Sequence, residues 1–148
     1  MPHLFETTTI KSLTLPNRFI RSATWEGLAA DDGSVTPRLI DVAVKLAQGG
    51  VGLIISGHAY VSREGQAGSW QLGAYSNELV PGLAEMVKAV HDSGGKIAMQ
   101  LAHAGSKAAS RLSGLEPIGP SIADIEGKQV GREITKKDIA QVTQAFAA

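Results

Sequence analysis

Apolar residues between Pro37 and Gln48 recur every three or four positions, which is the spacing of an amphipathic helix. Thr36 is a favourable N-cap residue, and the proline after it occupies the first helical position, where proline is well tolerated. Gly49 and Gly50 predict the helix end, because glycine readily adopts the left-handed conformation of a helix terminus. The apolar face of this helix consists of Leu39, Ile40, Ala43, Leu46 and Ala47.

A continuous apolar run, Val51–Ile55, follows these glycines directly. Because it does not alternate with polar residues, it predicts a strand that is buried on both faces, as in a parallel sheet. The same order then repeats, which predicts alternating strands and helices and places the chain in the α/β class. The second round comprises a helix from Asn77 or Pro81 to Asp92, the pair Gly94–Gly95 and a buried strand at Lys96–Leu101.

Short strands and turns are predicted before the first helix. The stretch Ile10–Phe19 predicts a β-hairpin that turns at Lys11–Ser12. Residues 19–24 predict a short strand, and Asp31–Ser34 predict a turn because they combine aspartate, glycine and serine.

The segment Gly105–Arg132 predicts an irregular loop, and we expect disorder to begin there. Thr135 and Asp138 have the spacing of a capping box at the start of a last helix. The chain ends inside that helix, and buried strands need neighbours on both sides, so we expect an incomplete barrel or open sheet that pairs with other copies as a homo-oligomer. The turn residues of the loop are Gly114, Pro117, Gly119, Pro120 and Gly127, and the apolar face of the last helix is Ile139, Val142 and Phe146.

Composition narrows the class of protein. Apolar residues make up 43% and charged residues 19%, as in a globular protein. The 14 basic and 14 acidic residues balance, so nucleic acid is not an expected partner. The sequence contains no cysteine, which excludes disulfides and cysteine nucleophiles and is compatible with the cytoplasm. No secretory signal and no apolar run of roughly 20 residues is present, so we expect no membrane contact.

Candidate site residues follow the predicted strands, at the end where βα-barrels place their sites. The three clusters are Ser22–Trp25, Ser56–His58 and Gln100–His103. They combine small residues with hydroxyl, amide and imidazole groups, which suits a flat heteroaromatic ligand. The histidines are scattered and have no metal-ligand spacing, so we expect no metal site. The two glycine-rich phosphate loops G-x-G-x-x-G and G-x-x-x-x-G-K-[ST] are absent.

Several segments, taken in order, resemble the N-terminal part of the Old Yellow Enzyme family. Each is weakly specific alone, but the ordered set covers nearly the whole chain. The matching segments are Leu13–Phe19, Arg21–Thr24 with Asp32–Gly33 and Thr36, Gly49–Ile55, His91 with Gly94–Ile97, Gln100–Gly105, and Pro120–Ser121 with Thr135.

The resemblance implies a fold and an activity. The fold is the N-terminal portion of a TIM (β/α)8 barrel preceded by a short β-hairpin, with residues 1–148 forming one partial FMN-binding domain. The activity is transfer of hydride from NADH or NADPH through FMN to an activated alkene, such as an α,β-unsaturated carbonyl compound.

The resemblance also implies roles for single residues. Gln100 matches a glutamine whose amide hydrogen-bonds the pyrimidine edge of the flavin. Ser22, Ala23 and Thr24 match the strand end that passes the reactive edge of the flavin. Either Thr24 or Trp25 occupies the position that tunes the flavin near N5 and O4.

The end of the second strand corresponds to Gly57 and His58. Three positions depart from the family pattern. A tryptophan at 25 replaces the common threonine or cysteine if that residue is the tuning one, a histidine at 58 replaces alanine or glycine, and Ser106 replaces an arginine. His103 is expected to be structural.

No catalytic residue is assigned within residues 1–148. In the family, the His-x-x-His or His-x-x-Asn pair that binds the substrate carbonyl, the proton-donating tyrosine and the phosphate-binding loops follow in later strands. Two alternatives therefore stay open. The chain is a non-catalytic truncated fragment, or it is part of another βα-barrel enzyme with a phosphate ligand and no flavin.

Overall fold

The chain begins with an antiparallel hairpin, in a computed structural model that describes residues 3–125 and 128–148. Strand β1 (Thr8–Ile10) pairs with β2 (Leu13–Leu15), so the predicted turn at Lys11–Ser12 is confirmed. Lys11 has a φ of 51°, the left-handed conformation that a tight turn often requires. Leu15 is only 1% exposed and anchors the hairpin.

A parallel three-stranded sheet forms the centre of the fold, with β4 between β3 and β5. Its strands are β3 (Ile20–Arg21), β4 (Leu53–Tyr60) and β5 (Ile97–Ala102). The strand predicted over residues 19–24 is confirmed for two residues only, whereas β4 continues well past its predicted end at Ile55. The reason is additional pairing, since the backbone N–H of Tyr60 donates to the carbonyl of Leu72 at 3.0 Å.

Two helices connect the strands, and the first has the predicted bounds. Helix α1 spans Pro37–Gln48, and the hydroxyl of Thr36 accepts from the backbone N–H of Leu39. Helix α2 spans Val80–Asp92 and follows a 3-10 turn at Asn77–Leu79, so the two predicted starts correspond to two parts of one helical segment.

Both helices end in a glycine with positive φ, which is Gly50 (81°) after α1 and Gly94 (78°) after α2. The N–H of each glycine donates to a carbonyl of the last turn at 2.9 Å, and the next residue donates to the carbonyl before that one. These paired bonds form a Schellman motif, which turns the chain directly into the following strand.

The hydrophobic core lies between the two helices and one face of the sheet. Val90 on α2 and Ala59 on β4 are fully buried there. The other buried members of this core are Leu39, Ala43, Ala47, Ile54, Leu72 and Met86. The helical periodicity thus identified the buried face of α1 correctly.

The opposite face of the sheet is open, which corrects the prediction of strands buried on both faces. No residue of β5 is buried, and Ala98, whose side chain lies on this face, is exposed. Ile20 on β3 is 47% exposed as well. Burial on the second face requires additional packing elements, and residues 3–125 and 128–148 do not provide them.

The segment between β5 and the last helix is not the irregular loop that its composition predicts. Two pairs of short strands give it a defined structure. Strand β6 (Ile118–Gly119) pairs in parallel with β9 (Arg132–Glu133), and β7 (Ala123–Ile125) pairs antiparallel with β8 (Lys128–Val130). Pairing of this kind depends on contacts between separate stretches, which turn-residue composition does not reveal. Gly127, one of the predicted turn residues, lies outside the described residues. A short helix, α3 (Ser110–Ser113), precedes these strands.

Helix α4 (Lys136–Ala147) begins with the predicted capping box. Asp138 accepts from the backbone N–H of Thr135 at 2.8 Å and also binds both terminal nitrogens of Arg132. The hydrogen bonds from the Arg132 guanidinium hold the pKa of Asp138 well below its usual range. The helix has no buried residue, and Ile139 and Phe146 are 51% and 41% exposed, so its apolar face is open.

Close packing of the second glycine pair generates a prediction about stability. A Cβ added at Gly95 would lie 2.5 Å from Cβ of Ala47, whereas one added at Gly68 would meet nothing within 4 Å. Gly95→Ala is therefore expected to lower the free energy of unfolding by about 1–3 kcal/mol through overpacking. Gly68→Ala is the matched control, and urea unfolding followed by circular dichroism measures both. Equal stability of the two variants would contradict the close helix–strand approach.

Candidate functional site

The carboxyl ends of the three parallel strands meet at one edge of the sheet. His58 on β4 lies directly opposite Gln100 on β5, so the structure brings these two predicted residues together. The cluster Ser56–His58 lies inside β4 rather than after it, which corrects its predicted position. The register shifts between Ile55 and His58, as it does at a β-bulge.

The side chain of Gln100 lies on the open face of the sheet. Ile54 and Ile97 pair in register and pack in the core, and side chains alternate along a strand, so the Gln100 side chain lies on the other face. His58, as its register partner, shares that face. Gln100 is exposed, and its amide has no hydrogen-bond partner among the described residues, although its backbone N–H donates to Oγ of Ser56 at 3.3 Å.

Gly57 lets the first loop approach the sheet. A Cβ at this position would lie 2.8 Å from the carbonyl oxygen of Thr24 and 2.6 Å from Oε2 of Glu26. No larger residue fits without displacing the loop, since real Cβ atoms do not come so close to backbone. The predicted residues Thr24 and Gly57 are therefore direct neighbours, and Gly57 acts through close packing.

The strand end at Ser22–Thr24 is held by its own polar groups. The carbonyl oxygen of Ser22 accepts from Nη1 of Arg21 at 2.6 Å and from the hydroxyl of Thr24 at 3.2 Å. Arg21 also reaches Oε1 of Glu26 at 3.4 Å, and both of these side chains are largely buried. Ala23 is half-buried between Ser22 and Thr24.

Of the two neighbouring residues Trp25 and Glu26, only Trp25 was predicted to belong to the site. Trp25, a predicted site residue, is 52% exposed and lines a cleft with His58. Glu26 was missed, although it fills the space beside Gly57. The only signal in the sequence is a carboxylate five residues after Arg21, a spacing that does not indicate a contact in an irregular loop.

Two stacked tyrosines anchor the far end of the same loop, and sequence reasoning missed them as well. The hydroxyls of Tyr60 and Tyr75 both donate to the carbonyl of Asp32 at 3.0 Å. Their rings stack with centroids 5.0 Å apart. Burial raises the pKa of Tyr60, so it remains a donor at physiological pH. The predicted turn at Asp31–Ser34 is confirmed, and these bonds tie it to the end of β4.

The side chain of His103 supports the backbone that follows β5. Its Nδ1 accepts from the backbone N–H of Gly105 at 3.0 Å, and its Nε2 is buried without a partner among the described residues. Burial lowers the pKa of His103, while the nearby charge of Glu64 acts in the opposite direction. The neutral imidazole is therefore favoured in the folded chain.

The described part of the chain contains no cluster of three or more residues that are suited to bind a metal ion. None of its helices is both long and apolar enough to cross a membrane.

A βα sheet with polar groups at its carboxyl edge defines a barrel-type enzyme scaffold, and comparison with known proteins identifies which one. The model of the NADH:flavin oxidoreductase / NADH oxidase family matches residues 3–148, so the chain belongs to this family. The alternative of a barrel enzyme without flavin is thereby excluded, because FMN is the cofactor of the family.

Among curated relatives, the NADH oxidase of Thermoanaerobacter brockii is 38% identical over 98% of this chain and 23% of its own length. The NADPH dehydrogenase of Geobacillus sp. (strain WCH70) is 38% identical over 97% of this chain and 42% of its own length. The chain thus spans less than half the length of these relatives.

Solved structures agree with the sequence comparison. The Old Yellow Enzyme homologue from Zymomonas mobilis is 26% identical, with a TM-score of 0.88 over 98% of this chain and 43% of that one. A 2-naphthoyl-CoA reductase, 25% identical, has a TM-score of 0.89 over 96% of this chain and 24% of that one. The predicted fold, an N-terminal portion of an Old Yellow Enzyme TIM barrel, is confirmed.

The residues at the strand ends fit the ring system of FMN. A flavin pyrimidine edge alternates hydrogen-bond donors and acceptors, and an amide is the side chain that offers both. Gln100 provides such an amide, exposed and unpaired within residues 3–125 and 128–148, on the open face of the sheet. Gly57 on the neighbouring strand has no side chain, so none projects toward a ring from this position.

The buried imidazole generates a prediction about pH. Because the pKa of His103 is lower in the folded than in the unfolded chain, the unfolded chain binds the extra proton first as the pH falls. The free energy of unfolding should therefore decrease as the pH falls below about 6.5. His103→Asn keeps an acceptor for Gly105 and should reduce this slope, measured by urea unfolding between pH 7 and 5. The exposed His91→Asn serves as control, and an unchanged slope in His103→Asn would contradict the assignment.

Proposed function

We propose that this chain forms the flavin-ring side of an FMN-dependent oxidoreductase that passes hydride from NADH or NADPH through the flavin to an activated alkene. The observation that carries this proposal is the unpaired amide of Gln100 beside His58 at the carboxyl edge of the sheet. Family membership supports the use of flavin and nicotinamide. The cytoplasmic location stays a prediction.

Bound FMN supplies the hydride chemistry, and the residues of this chain position its ring. Gln100 donates to and accepts from the pyrimidine edge. Ser22, Ala23 and Thr24 present backbone groups to the reactive edge of the ring. Gly57 allows this approach, because its missing side chain leaves room for the carbonyl of Thr24.

Either Thr24 or Trp25 fills the tuning position, and their two side chains lie in different surroundings. The hydroxyl of Thr24 is engaged with the carbonyl of its own loop at Ser22. The indole of Trp25 instead lies at the mouth of the cleft beside His58. An indole carries one N–H donor and a large apolar ring, so it limits the access of water more than threonine does.

The names of relatives and structural neighbours support reduction of an organic substrate. They include an NADPH dehydrogenase, a morphinone reductase and a 2-naphthoyl-CoA reductase bound to 2-naphthoyl-CoA. Two of these proteins are named as reductases of an organic compound, which favours an organic electron acceptor such as the proposed alkene.

Replacement of Gln100 tests the flavin contact. Residues 1–148 are joined to the later strands of the Geobacillus NADPH dehydrogenase, and FMN affinity is measured by quenching of flavin fluorescence. Gln100→Ala should weaken FMN binding by about 1 kcal/mol, or about fivefold in Kd, because one amide contact is lost. The reduction potential of the flavin should shift as well.

Gln48→Ala is the matched control, because Gln48 is exposed at the end of α1, at the opposite edge of the sheet. It should leave both affinity and potential unchanged. If Gln100→Ala behaves like this control, Gln100 does not contact the flavin.

A second candidate function is that of a non-catalytic segment that pairs with another copy of itself. The sheet favours it, since β5 is an edge strand within the described part of the chain and leaves backbone groups unpaired there, and Leu101 is 42% exposed. The apolar face of α4, with Ile139 and Phe146 exposed, adds a second uncovered surface. Both surfaces would be covered in a symmetric dimer.

The isolated chain tests this second candidate. It should be nearly colourless, inactive with cyclohexenone, and dimeric in size-exclusion chromatography with light scattering. Leu101→Lys on the sheet edge should shift the dimer to monomer, whereas Leu115→Lys, at an equally exposed position outside these surfaces, should not. A well-dispersed monomer, or stoichiometric flavin with turnover, would refute it.

A further inference from the structure

A second cleft lies between the loop that follows β3 and the first turn of α1. It encloses about 400 Å³, a volume in the range of small-molecule sites. None of the residues that we propose to contact the flavin lines it, so it is not part of the flavin site. The lining residues are Gly27, Leu28, Ala29, Thr36, Arg38 and Trp70.

One wall of this second cleft is Trp70, whose backbone is strained. Its φ is 56°, a left-handed conformation that is unfavourable for a bulky side chain. The carbonyl of Trp70 accepts from the backbone N–H of Ala29 at 3.1 Å, which joins two walls of the cleft. The side chain is 53% exposed, so the strained residue presents its ring to a ligand instead of filling the core.

The polar group that is available to a ligand is the guanidinium of Arg38. Arg38 is exposed and forms no ion pair or side-chain hydrogen bond with the other described residues. Asp41, one turn further along α1, neither pairs with Arg38 nor lines the cleft. The hydroxyl of Thr36 is occupied, because it donates to the carbonyl of Leu28 at 2.5 Å and accepts from the N–H of Leu39.

An exposed indole beside an unpaired guanidinium suits a planar base that carries a phosphate. Bases stack on aromatic side chains, and a guanidinium binds phosphate oxygens through paired hydrogen bonds. In dinucleotide-binding folds, an arginine accommodates the 2′-phosphate of NADPH, whereas a carboxylate binds the free 2′-hydroxyl of NADH. Among the described residues that line this cleft, Arg38 is charged and none is acidic.

We propose that the second cleft binds the adenosine 2′-phosphate end of NADPH, and that Arg38 makes the protein select NADPH over NADH. The adenine ring stacks on Trp70, and the 2′-phosphate bonds to the guanidinium of Arg38. This inference rests on the proposed function, because the nicotinamide at the other end of the coenzyme is the part that reduces the flavin. Binding of the adenosine end is measured without FMN, so its failure is distinguishable from failure of the flavin contact.

Calorimetric titration of the 148-residue chain with adenosine 2′,5′-bisphosphate and with AMP tests the selection. The bisphosphate should bind about tenfold more tightly than AMP, because it alone presents a 2′-phosphate to Arg38. Arg38→Gln should remove this difference and leave the affinity for AMP unchanged. Arg111→Gln is the matched control, since Arg111 is also exposed but does not line the cleft, and it should have no effect.

Replacement of Trp70 tests the stacking. Glycine adopts a positive φ without strain, so Trp70→Gly removes the ring and should keep the fold. It should weaken binding of both AMP and the bisphosphate by about tenfold. Far-UV circular dichroism checks the fold, and Trp70→Asn, which also tolerates a positive φ, takes its place if the glycine variant is unfolded.

Four results would overturn the proposal. Absence of saturable binding would remove the site, and equal affinity for AMP and the bisphosphate, or a difference that persists in Arg38→Gln, would remove the selection of NADPH. Tighter binding of the isomeric adenosine 3′,5′-bisphosphate would assign the cleft to a ligand of the coenzyme A type. Affinity for inorganic phosphate equal to that for the 2′,5′-bisphosphate would show a simple anion site without recognition of the base.

Discussion

The pairing of β4 on both of its edges is the constraint on which the rest of the structure depends. Ile54 joins this strand to the helical core, and its last residue, Tyr60, holds the turn that precedes α1. Between them, the register of β4 with β5 shifts between Ile55 and His58, next to the candidate site. A strand paired on only one side would have less support against shifting its register, and every side chain would then change face.

The site is assembled mainly by backbone contacts of small residues. At Gly57, the absence of a side chain lets the carbonyl of Thr24 and the carboxylate of Glu26 lie against β4. Arg21 then holds Glu26, and two tyrosines hold the other end of the loop. Few side chains are left to contact a ligand, which suits a flat ring that is recognised at its edges and faces.

The two faces of the central sheet differ in how far their side chains are buried. Burial on the helical side is thorough, with Val90 and Ala59 fully enclosed. On the other side, Ile20 of β3 is 47% exposed, and the amide of Gln100 on β5 is exposed as well. The same face thus exposes both apolar surface and the amide that we propose to contact the flavin.

Local sequence determined the helices, their caps and their order, because helical periodicity, proline at the first turn and glycine at the end act within a few residues. It therefore located α1 to the residue, along with the capping box of α4 and the hairpin turn. Tertiary structure alone decided the length of β4, the pairing of the short strands after β5, and the neighbours of Gly57. These features depend on contacts between residues far apart in the chain, such as Tyr60 with Leu72 or Thr24 with Gly57. No pattern along the sequence records such contacts, since they exist only once the strands lie side by side.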